Sequence, residues 1–289
     1  MKDFNGKTAV VTGAASGIGR ALADRSAAEG MNVVLADVET DRLKRVADEL
    51  RDRGATVCAV PTDVSDADAV DALARATVDE FGGAHLLFNN AGVGGGAPTS
   101  WQCTLDDWKW VIGVNLWGVI HGVRAFLPIL VEQGCETHVV NTASVAGLVS
   151  VPGLGPYNVS KHGVATLSET IYHELTTTHP QTGVSCLCPG HVATDIIDSA
   201  RNRPTELADT FVPEPDPVRD EAFAKFEAAV HAGTSPADIA EITFAGIRER
   251  RLWILPHPEW KSLVESRARQ ITQDEAPDLL GLVERMAMI

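Results

Sequence analysis

The sequence predicts an α/β fold: a doubly wound parallel sheet in three α/β/α layers, built as a single domain over residues 1–289. Short apolar runs rich in β-branched residues alternate along the chain with helical patterns, which is typical of βαβ units. Glycine or polar residues follow most of these runs, at the strand ends where such sheets place their sites. A chain of 289 residues is also long enough for one large core.

Composition and charge exclude several classes of protein. The hydrophobic fraction of 45% and the charged fraction of 22% are those of an ordinary globular protein. A net charge of -15 without a Lys/Arg run argues against a nucleic-acid partner. No apolar stretch reaches the length of a membrane span, and the N-terminus lacks a signal-peptide core. We therefore expect a cytoplasmic protein with no membrane partner.

Cysteine usage agrees with that expectation. The five cysteines are odd in number and scattered along the chain, which fits reduced thiols. Cys186 and Cys188 lie in a predicted strand with no His/Cys pair at zinc spacing, so no metal site is expected. Buried core thiols are the better interpretation.

A glycine-rich turn follows the first strand. Residues 8–12 form an apolar run, Gly13-Ala14-Ala15-Ser16-Gly17-Ile18-Gly19 follows at once, and a helix opens at Arg20. Such a turn lets backbone N–H groups approach a pyrophosphate at the positive end of the helix. The Gly-x-x-x-Gly-x-Gly spacing differs from the commoner dinucleotide fingerprint, and a plain tight turn is the alternative. Its place between a strand and a helix favours cofactor binding.

An acidic residue ends the second strand, residues 31–36. Asp37 is placed there to accept hydrogen bonds from an adenosine ribose, and it would repel the 2′-phosphate of NADP. Val38, Glu39 and Thr40 add no basic residue to compensate. The sequence therefore predicts NAD rather than NADP, with a plain helix N-cap as the alternative role of Asp37.

Polar residues also mark the elements that follow. These elements are, in order, helix 41–53, strand 56–60, helix 66–81, strand 86–88 and helix 105–132. Asp63, after the third strand, is placed to reach an adenine edge. Asn89 and Asn90 are poor strand formers at a strand end, which indicates a task for their amides beside the cofactor. Asn115 lies inside an otherwise apolar helix, where it bonds locally, bends the helix or holds a water.

A hydroxyl, a phenol and an ammonium converge in the predicted fold. Ser144 follows the strand at 137–143. Tyr157 and Lys161 share one face of the helix at 157–179, because they are four residues apart. These groups suit proton transfer to or from an alcohol oxygen, since a nearby lysine cation favours the phenolate. A Tyr-x-x-x-Lys spacing alone is common, so this interpretation depends on the surrounding motifs.

The alternation breaks after the strand at 184–188. Residues 195–232 contain proline-rich loops and a short helical pattern at 220–231, and a long insertion after a site-forming strand is typical of a substrate lid. A disordered excursion is the alternative. Three predicted elements complete the chain: helix 236–250, strand 252–255 and a mostly helical C-terminal extension over 258–289.

Taken together, the motifs resemble those of the short-chain dehydrogenases/reductases of classical type. The resemblance spans residues 8 to about 194 and rests on the 12–19 turn, Asn89-Asn90-Ala91-Gly92, Asn115, Ser144, Tyr157-x-x-x-Lys161 and Pro189-Gly190. It implies a Rossmann fold and an NAD(P)-dependent enzyme acting on CH–OH groups. It also implies a homotetramer or homodimer assembled through helices 105–132 and 157–179.

The resemblance implies a role for each matching residue. Tyr157 would be the acid/base, Lys161 would bind the nicotinamide ribose and lower the tyrosine pKa, Ser144 would hold the substrate oxygen, and Asn115 would anchor a water on a proton path. The expected cofactor contacts are Thr12, Gly13, Ser16, Gly17, Ile18, Gly19, Asp37, Asp63, Val64, Asn90, Ala91, Gly92, Tyr157, Lys161, Pro189, Gly190, Val192 and Thr194. The expected substrate contacts are Ser144, Leu154, Tyr157 and His191.

The function expected from the sequence is NAD-dependent interconversion of a bulky, apolar secondary alcohol and its ketone. An aryl alcohol, a hydroxysteroid or a terpenoid would each fit the apolar residues near the site, which are Leu148, Val149, Leu154, Ile196, Ile197, Phe211 and Phe223. One alternative is an NADPH-dependent carbonyl or 3-oxoacyl reductase. An alternative of another class is a non-catalytic dinucleotide-binding redox sensor, but Ser144, Tyr157 and Lys161 are all present.

Overall fold

The computed structural model describes residues 1–95, 99–207, 217–278 and 281, without the side chains of residues 218, 219 and 222. The predicted lid residue Phe211 and the end of the predicted C-terminal extension lie outside these ranges. The first half of the chain contains β1 Thr8–Thr12, α1 Gly17–Ala28, β2 Asn32–Asp37, α2 Thr40–Asp52, β3 Val57–Pro61, α3 Ala67–Phe81 and β4 Leu86–Asn89. The predicted elements of this half differ from the observed ones by at most one residue at their ends, except that α1 begins at Gly17, three residues before its predicted start at Arg20.

The second half begins with a helix that has a π turn in its middle. It contains α4 Leu105–Ile112, the π turn Gly113–Trp117, α5 Gly118–Glu132, β5 Thr137–Thr142, α6 Gly155–Thr178, β6 Thr182–Leu187, α7 Pro217–His231, α8 Pro236–Arg248, β7 Trp253–Ile254 and α9 Lys261–Thr272. Short 3-10 turns cover Val145–Gly147, Ile197–Asn202, Thr205–Leu207 and Pro258–Trp260. The last strand is shorter than predicted, and residues 273–278 of the extension are not helical.

Within the described residues, seven strands form one parallel sheet in the order β3-β2-β1-β4-β5-β6-β7. The chain runs outward from β1 to β3 and then crosses back to β4 on the other side of β1. This reversal of strand order opens a crevice at the carboxyl ends of β1 and β4, where ligands bind in such sheets. The predicted doubly wound α/β fold is confirmed.

Two apolar layers hold the sheet between its helices. Successive side chains of a strand point to opposite faces, so Val11 of β1 packs with Leu22 of α1 and Phe244 of α8, while Val10 packs on the other face with Phe126 of α5. Because both faces of the strands are covered, all five residues of β1 are buried. The sheet is therefore a rigid base for the loops at its carboxyl edge.

The helix formed by α4, the π turn and α5 spans Leu105–Glu132 and is long and apolar enough to cross a membrane by composition alone. In the structure it packs against α3, α6, β4 and β5. Trp117 of the π turn and Val159 of α6 are each 51% exposed on the two helices that the family resemblance assigns to subunit contacts. The homotetramer or homodimer stays a prediction.

Candidate active site

A cavity of about 1290 Å³ opens at the carboxyl edge of the sheet. Segments that follow β1 to β6 all contribute to its wall, together with residues from α4, α6, α7 and the turn at Pro258–Trp260. Sites for one drug-sized ligand measure roughly 300–1,000 Å³. The cavity therefore has room for a dinucleotide and a substrate together.

The glycine-rich turn forms one end of this cavity. Gly13 and Gly17 have positive φ angles of 68° and 52°, which favour glycine, and Gly13, Ser16, Gly17 and Ile18 line the wall. A Cβ added at Gly19 would lie 2.0 Å from the Gly13 carbonyl oxygen, so Gly19 lets α1 start close behind the turn. The residues present fit a diphosphate, because the turn opens α1 at its N-terminus.

Thr12 and Gly19 do not line the cavity, and their role as cofactor contacts stays a prediction. Thr12 acts behind the wall. Its hydroxyl donates to the Phe88 carbonyl (3.2 Å) and accepts the N–H groups of Asn90 (2.9 Å) and Ala91 (3.1 Å). It therefore joins the ends of β1 and β4 and fixes the loop that does line the site.

The two predicted asparagines at the end of β4 have separate tasks. Asn89 Nδ2 donates to Asn141 Oδ1 (2.9 Å) inside the sheet, and a Cβ at Gly122 would lie 1.9 Å from Asn89 Oδ1. Because Gly122 has no side chain, it leaves room for the Asn89 amide. Asn90 Nδ2 donates to the Thr12 carbonyl (3.1 Å), and Asn90 lines the cavity. Both amides therefore have structural hydrogen bonds, and their task beside the cofactor stays a prediction.

Asp37 lies at the cavity wall and binds two backbone N–H groups. Its carboxylate accepts from Ala15 (2.9 Å) and Glu39 (2.9 Å). Burial raises the pKa of this carboxyl group, and the two hydrogen bonds partly oppose that shift. The N-cap of α2 is Glu39, so Asp37 is not the cap. Asp63 and Val64 also line the cavity, and Asp63 Oδ1 accepts from the backbone N–H and the hydroxyl of Ser65.

Two basic residues lie beside Glu39 in the structure, although the local sequence contains none at positions 38–40. Glu39 pairs with Arg201 (2.7 Å) and Arg42 (3.1 Å), and Asn202 donates to the same carboxylate (2.9 Å). These contacts lower the pKa of the Glu39 carboxyl group against the opposing effect of its burial. Arg201 follows β6, so this ion pair spans the crevice from the far side, and sequence spacing gave no signal for it.

A second ion pair ties the same segment to the opposite wall. Arg203 donates to Asp107 (2.7 Å), and its guanidinium lies 5.3 Å from the centre of the Trp110 ring. Asp107 also completes the capping box of α4 with Thr104. Residues 201–203 are therefore fastened to α2 on one side and to α4 on the other. Whether the whole segment 195–232 works as a lid stays a prediction.

Ser144, Tyr157 and Lys161 line one side of the cavity, as predicted. The Ser144 hydroxyl donates to the Pro189 carbonyl (3.3 Å) and accepts from the N–H of Ala146 (3.1 Å). Lys161 Nζ donates to the Thr142 carbonyl (2.9 Å) and lies 5.6 Å from the centre of the Tyr157 ring. A hydroxyl, a phenol and an amine thus face one small volume.

Burial shifts the pKa values of Tyr157 and Lys161. Burial raises the pKa of the Tyr157 phenol, and a hydrogen bond with Ser144 partly opposes that shift. Burial also lowers the pKa of Lys161 from 10.5 to about 8. Burial is thus the largest influence on the Tyr157 pKa, and the lowering of that pKa by the Lys161 charge stays a prediction.

Asn115 lies in the π turn, fully buried behind the wall. Its side chain accepts from the Val93 N–H (2.8 Å) and donates to the Val93 carbonyl (2.9 Å) and to the Ser160 hydroxyl (3.3 Å). π turns inside α-helices are frequent at functional sites. Asn115 does not line the cavity, and it connects α6, which carries Tyr157 and Lys161, to the loop after β4.

The predicted substrate contacts all line the cavity: Ser144, Leu154, Tyr157 and His191. So do the predicted cofactor contacts Ala91, Gly92, Pro189, Gly190, Val192 and Thr194, and the apolar residues Ile196, Ile197 and Phe223. Leu148 and Val149 belong to packed clusters behind the wall instead. Trp260, which was not among the predicted site residues, reaches the cavity from beyond β7. No local pattern marks a residue that tertiary folding brings in from so far along the chain.

Comparisons with known proteins agree with this geometry. The family model described as short chain dehydrogenase matches residues 7–205. A CLA biosynthesis dehydrogenase/reductase of Lactiplantibacillus plantarum is 33% identical over 284 residues, which cover 96% of this chain and 98% of that protein. A 1-deoxy-11-beta-hydroxypentalenate dehydrogenase of Streptomyces exfoliatus is 42% identical over 193 residues, covering 66% of this chain and 69% of that protein.

A solved structure is similar over nearly the whole chain. It is a short chain dehydrogenase/reductase from Burkholderia phymatum in complex with NAD. The TM-score is 0.92 and the sequence identity 47%, over 96% of this chain and 98% of that one. The protein is accordingly an oxidoreductase that uses a nicotinamide dinucleotide and interconverts alcohols with their carbonyl compounds. The chain belongs to the short-chain dehydrogenase/reductase family, as its motifs predicted.

Proposed function

We propose that this enzyme oxidises a bulky, apolar secondary alcohol to its ketone with NAD, using Tyr157 as the general base. The observation that supports this most strongly is the shared wall of Ser144, Tyr157 and Lys161, which continues into the glycine-rich turn within one cavity. Formation of NADH from a panel of secondary alcohols tests the proposal. Absence of turnover across apolar aryl and alicyclic alcohols would overturn it.

The proposed mechanism assigns one task to each polar group at the wall. Tyr157 takes the hydroxyl proton of the alcohol, and Ser144 donates a hydrogen bond to the same oxygen as its charge changes. A nicotinamide held beside these residues would supply the acceptor for the hydride that leaves the carbinol carbon. Lys161, held by the Thr142 carbonyl, supplies positive charge beside the phenol in its protonated form. Asn115 keeps α6 in register with the loop after β4 and so positions Tyr157 and Lys161.

The residues of the crevice fit the dinucleotide along its length. In the proposal the turn at Gly13–Ile18 holds the diphosphate, Asp37 the adenosine ribose, and Asp63 and Val64 the adenine. Lys161 binds the nicotinamide ribose, and Val192 and Thr194 lie at the carboxamide. NAD is preferred over NADP because Asp37 lies at the ribose site, and because Arg42 and Arg201 are already paired with Glu39.

Replacing Asp37 with alanine is expected to lower the NAD-over-NADP ratio of kcat/KM by at least about tenfold, since a buried anion near the 2′-phosphate is removed. The KM for NAD also rises, because the Ala15 N–H loses its acceptor. Kinetics with both cofactors measure the ratio. Asp52→Ala, on the exposed end of α2, is the matched control. An unchanged ratio in Asp37→Ala would contradict the assignment of the ribose site.

The part of the cavity next to Ser144 and Tyr157, named here the substrate compartment, is suited to an apolar substrate. Apolar side chains form most of its wall, among them Val151, Leu154, Ile196, Ile197, Phe223 and Phe226. Burial lowers the pKa of His191, which leaves that ring neutral at pH 7. An aryl alcohol, a hydroxysteroid or a terpenoid would each bury its ring system here.

The two directions of the reaction are expected to depend on pH with opposite sign. Because the pKa of Tyr157 is raised, the phenol keeps its proton at neutral pH and becomes a better base as pH rises. The kcat/KM for alcohol oxidation should therefore increase from pH 7 to about pH 8, the range in which Lys161 still holds its charge. The kcat/KM for ketone reduction, which needs the phenol as proton donor, should stay level or fall. A flat oxidation profile over this range would contradict the assignment of Tyr157.

A further inference from the structure

The C-terminal turn Pro258–Trp260 contributes a wall of the substrate compartment. Trp260 is 2% exposed, and its ring lines the cavity. It belongs to a packed cluster with Val145, Val149 and Leu263, so it lies against the turn that begins at Ser144. On its other side, a Cβ added at Gly190 would lie 3.1 Å from Trp260 Cε2 and Nε1. The indole thus fills the space between the loops that follow β5 and β6.

A histidine fixes this turn to the loop after β6. The Gly190 N–H donates to His257 Nδ1 (3.0 Å), so the ring carries its proton on Nε2 and donates to the His191 carbonyl (3.0 Å). His257 Nε2 also lies 3.0 Å from the Thr234 hydroxyl. With both ring nitrogens engaged, His257 sets the position of Trp260 three residues further along the chain.

The indole is held edge-on by other rings. His191 packs against Trp260 with ring centres 5.2 Å apart and planes at 89°, and against Phe226 of α7 with centres 5.8 Å apart. The indole N–H has no hydrogen-bond partner among the described residues. The contribution of Trp260 to this wall is therefore its shape.

We propose that Trp260 is a specificity-determining residue, whose ring limits the size of the substituent that the alcohol carries toward the C-terminal turn. The wall is rigid because it is packed behind by Leu263 and fastened by His257, so a larger group meets a ring that has no free space to move into. The other side of the compartment is bounded by α7 and by residues 195–207. This inference rests on the proposed function and adds the residue that sets its substrate range.

Two series of probe alcohols test the proposal. In one, the alkyl group grows from 1-phenylethanol to 1-phenylpropan-1-ol and 1-phenylbutan-1-ol. In the other, the ring grows from 1-phenylethanol to 1-(2-naphthyl)ethanol. The wild-type enzyme is expected to lose kcat/KM sharply along one series, the one whose growing group faces Trp260. Trp260→Ala should remove that loss. The ratio of kcat/KM for the largest alcohol to kcat/KM for 1-phenylethanol should rise by at least about tenfold, in that series alone.

Matched variants distinguish the effect of losing the Trp260 ring from the effect of destabilising the turn Pro258–Trp260. Trp260→Phe keeps a ring and should stay within about threefold of the wild-type ratio. Leu263→Ala loosens the packing behind the ring but leaves the ring in place and does not line the cavity, so it should shift the ratio by less than Trp260→Ala does. If Trp260→Ala does not fold, Trp260→Leu should shift the ratio in the same direction by less.

An unchanged ratio in the folded alanine or leucine variant would overturn the proposal, and so would an equal shift in Leu263→Ala. Failure of the wild-type enzyme to form NADH from any of these alcohols is a different result. That result would contradict the proposed function and, with it, this inference.

Discussion

Replacing Tyr157 with phenylalanine is expected to lower kcat for alcohol oxidation by at least about 1000-fold. The change removes one oxygen, the atom proposed to accept the alcohol proton, and general acid–base groups contribute roughly 10²–10⁴-fold. The aromatic ring stays, so its packing against α4 and the Val93 loop is kept. The Kd for NAD should remain within about threefold, and the melting temperature within a few degrees.

Steady-state kinetics and NAD titration of the purified variant measure both effects. Tyr172→Phe is the matched control, because it makes the same change at the other tyrosine of the chain, on the same helix and away from the cavity. The control should keep full activity. Near-normal turnover in Tyr157→Phe would show that another group transfers the proton.

Replacing Lys161 with methionine is expected to lower the activity of the enzyme and to raise the stability of its fold. The kcat/KM should fall at least about 100-fold, because the charge that favours the phenolate is lost. The folded protein should become more stable at pH 7. In the folded protein the pKa of Lys161 is about 8 instead of 10.5. This shift corresponds to a cost on the order of 3 kcal/mol for burying the ammonium. Losing the hydrogen bond to the Thr142 carbonyl offsets part of this gain.

The stability difference has a defined pH dependence. Below about pH 8 the folded protein holds a buried charge, so the cost is present in full. Between about pH 8 and pH 10.5 the unfolded chain binds a proton that the folded protein has lost, so the stability contribution of Lys161 rises with pH. Thermal unfolding should therefore give a melting temperature about 2 to 6 °C above wild type at pH 7, with the difference closing toward pH 10. A lower melting temperature at pH 7 would contradict this account of the buried lysine.

Local patterns predicted the sheet and most of the site, because each signal lies within a few neighbouring residues. A strand is recognised by its apolar run, the glycine turn by its spacing, and the Tyr157/Lys161 pair by the helical repeat. Since the carboxyl ends of parallel strands share one edge, the order of the motifs was enough to place Gly13, Asp37 and Ser144 in one cavity.

The features that were missed depend on contacts between distant parts of the chain. Arg201 meets Glu39 across the crevice, and Trp260 reaches the substrate compartment from beyond the last strand. Neither residue has a distinctive local pattern. The pKa shifts of Tyr157 and Lys161 could not be predicted from the sequence either, because the burial that causes them is set by the packing of the whole cavity. For the same reason the motif around Thr12 does not reveal that its side chain also links the ends of β1 and β4.

In the proposed mechanism Tyr157 and its neighbours place the carbinol carbon of a secondary alcohol next to the nicotinamide. Transfer of deuterium tests it most directly. An alcohol deuterated at the carbinol carbon, oxidised by the enzyme with NAD, is expected to give NADH that carries the deuterium at nicotinamide C4, with a stereochemically single product. NADH without deuterium, or label scrambled into the solvent, would contradict the account.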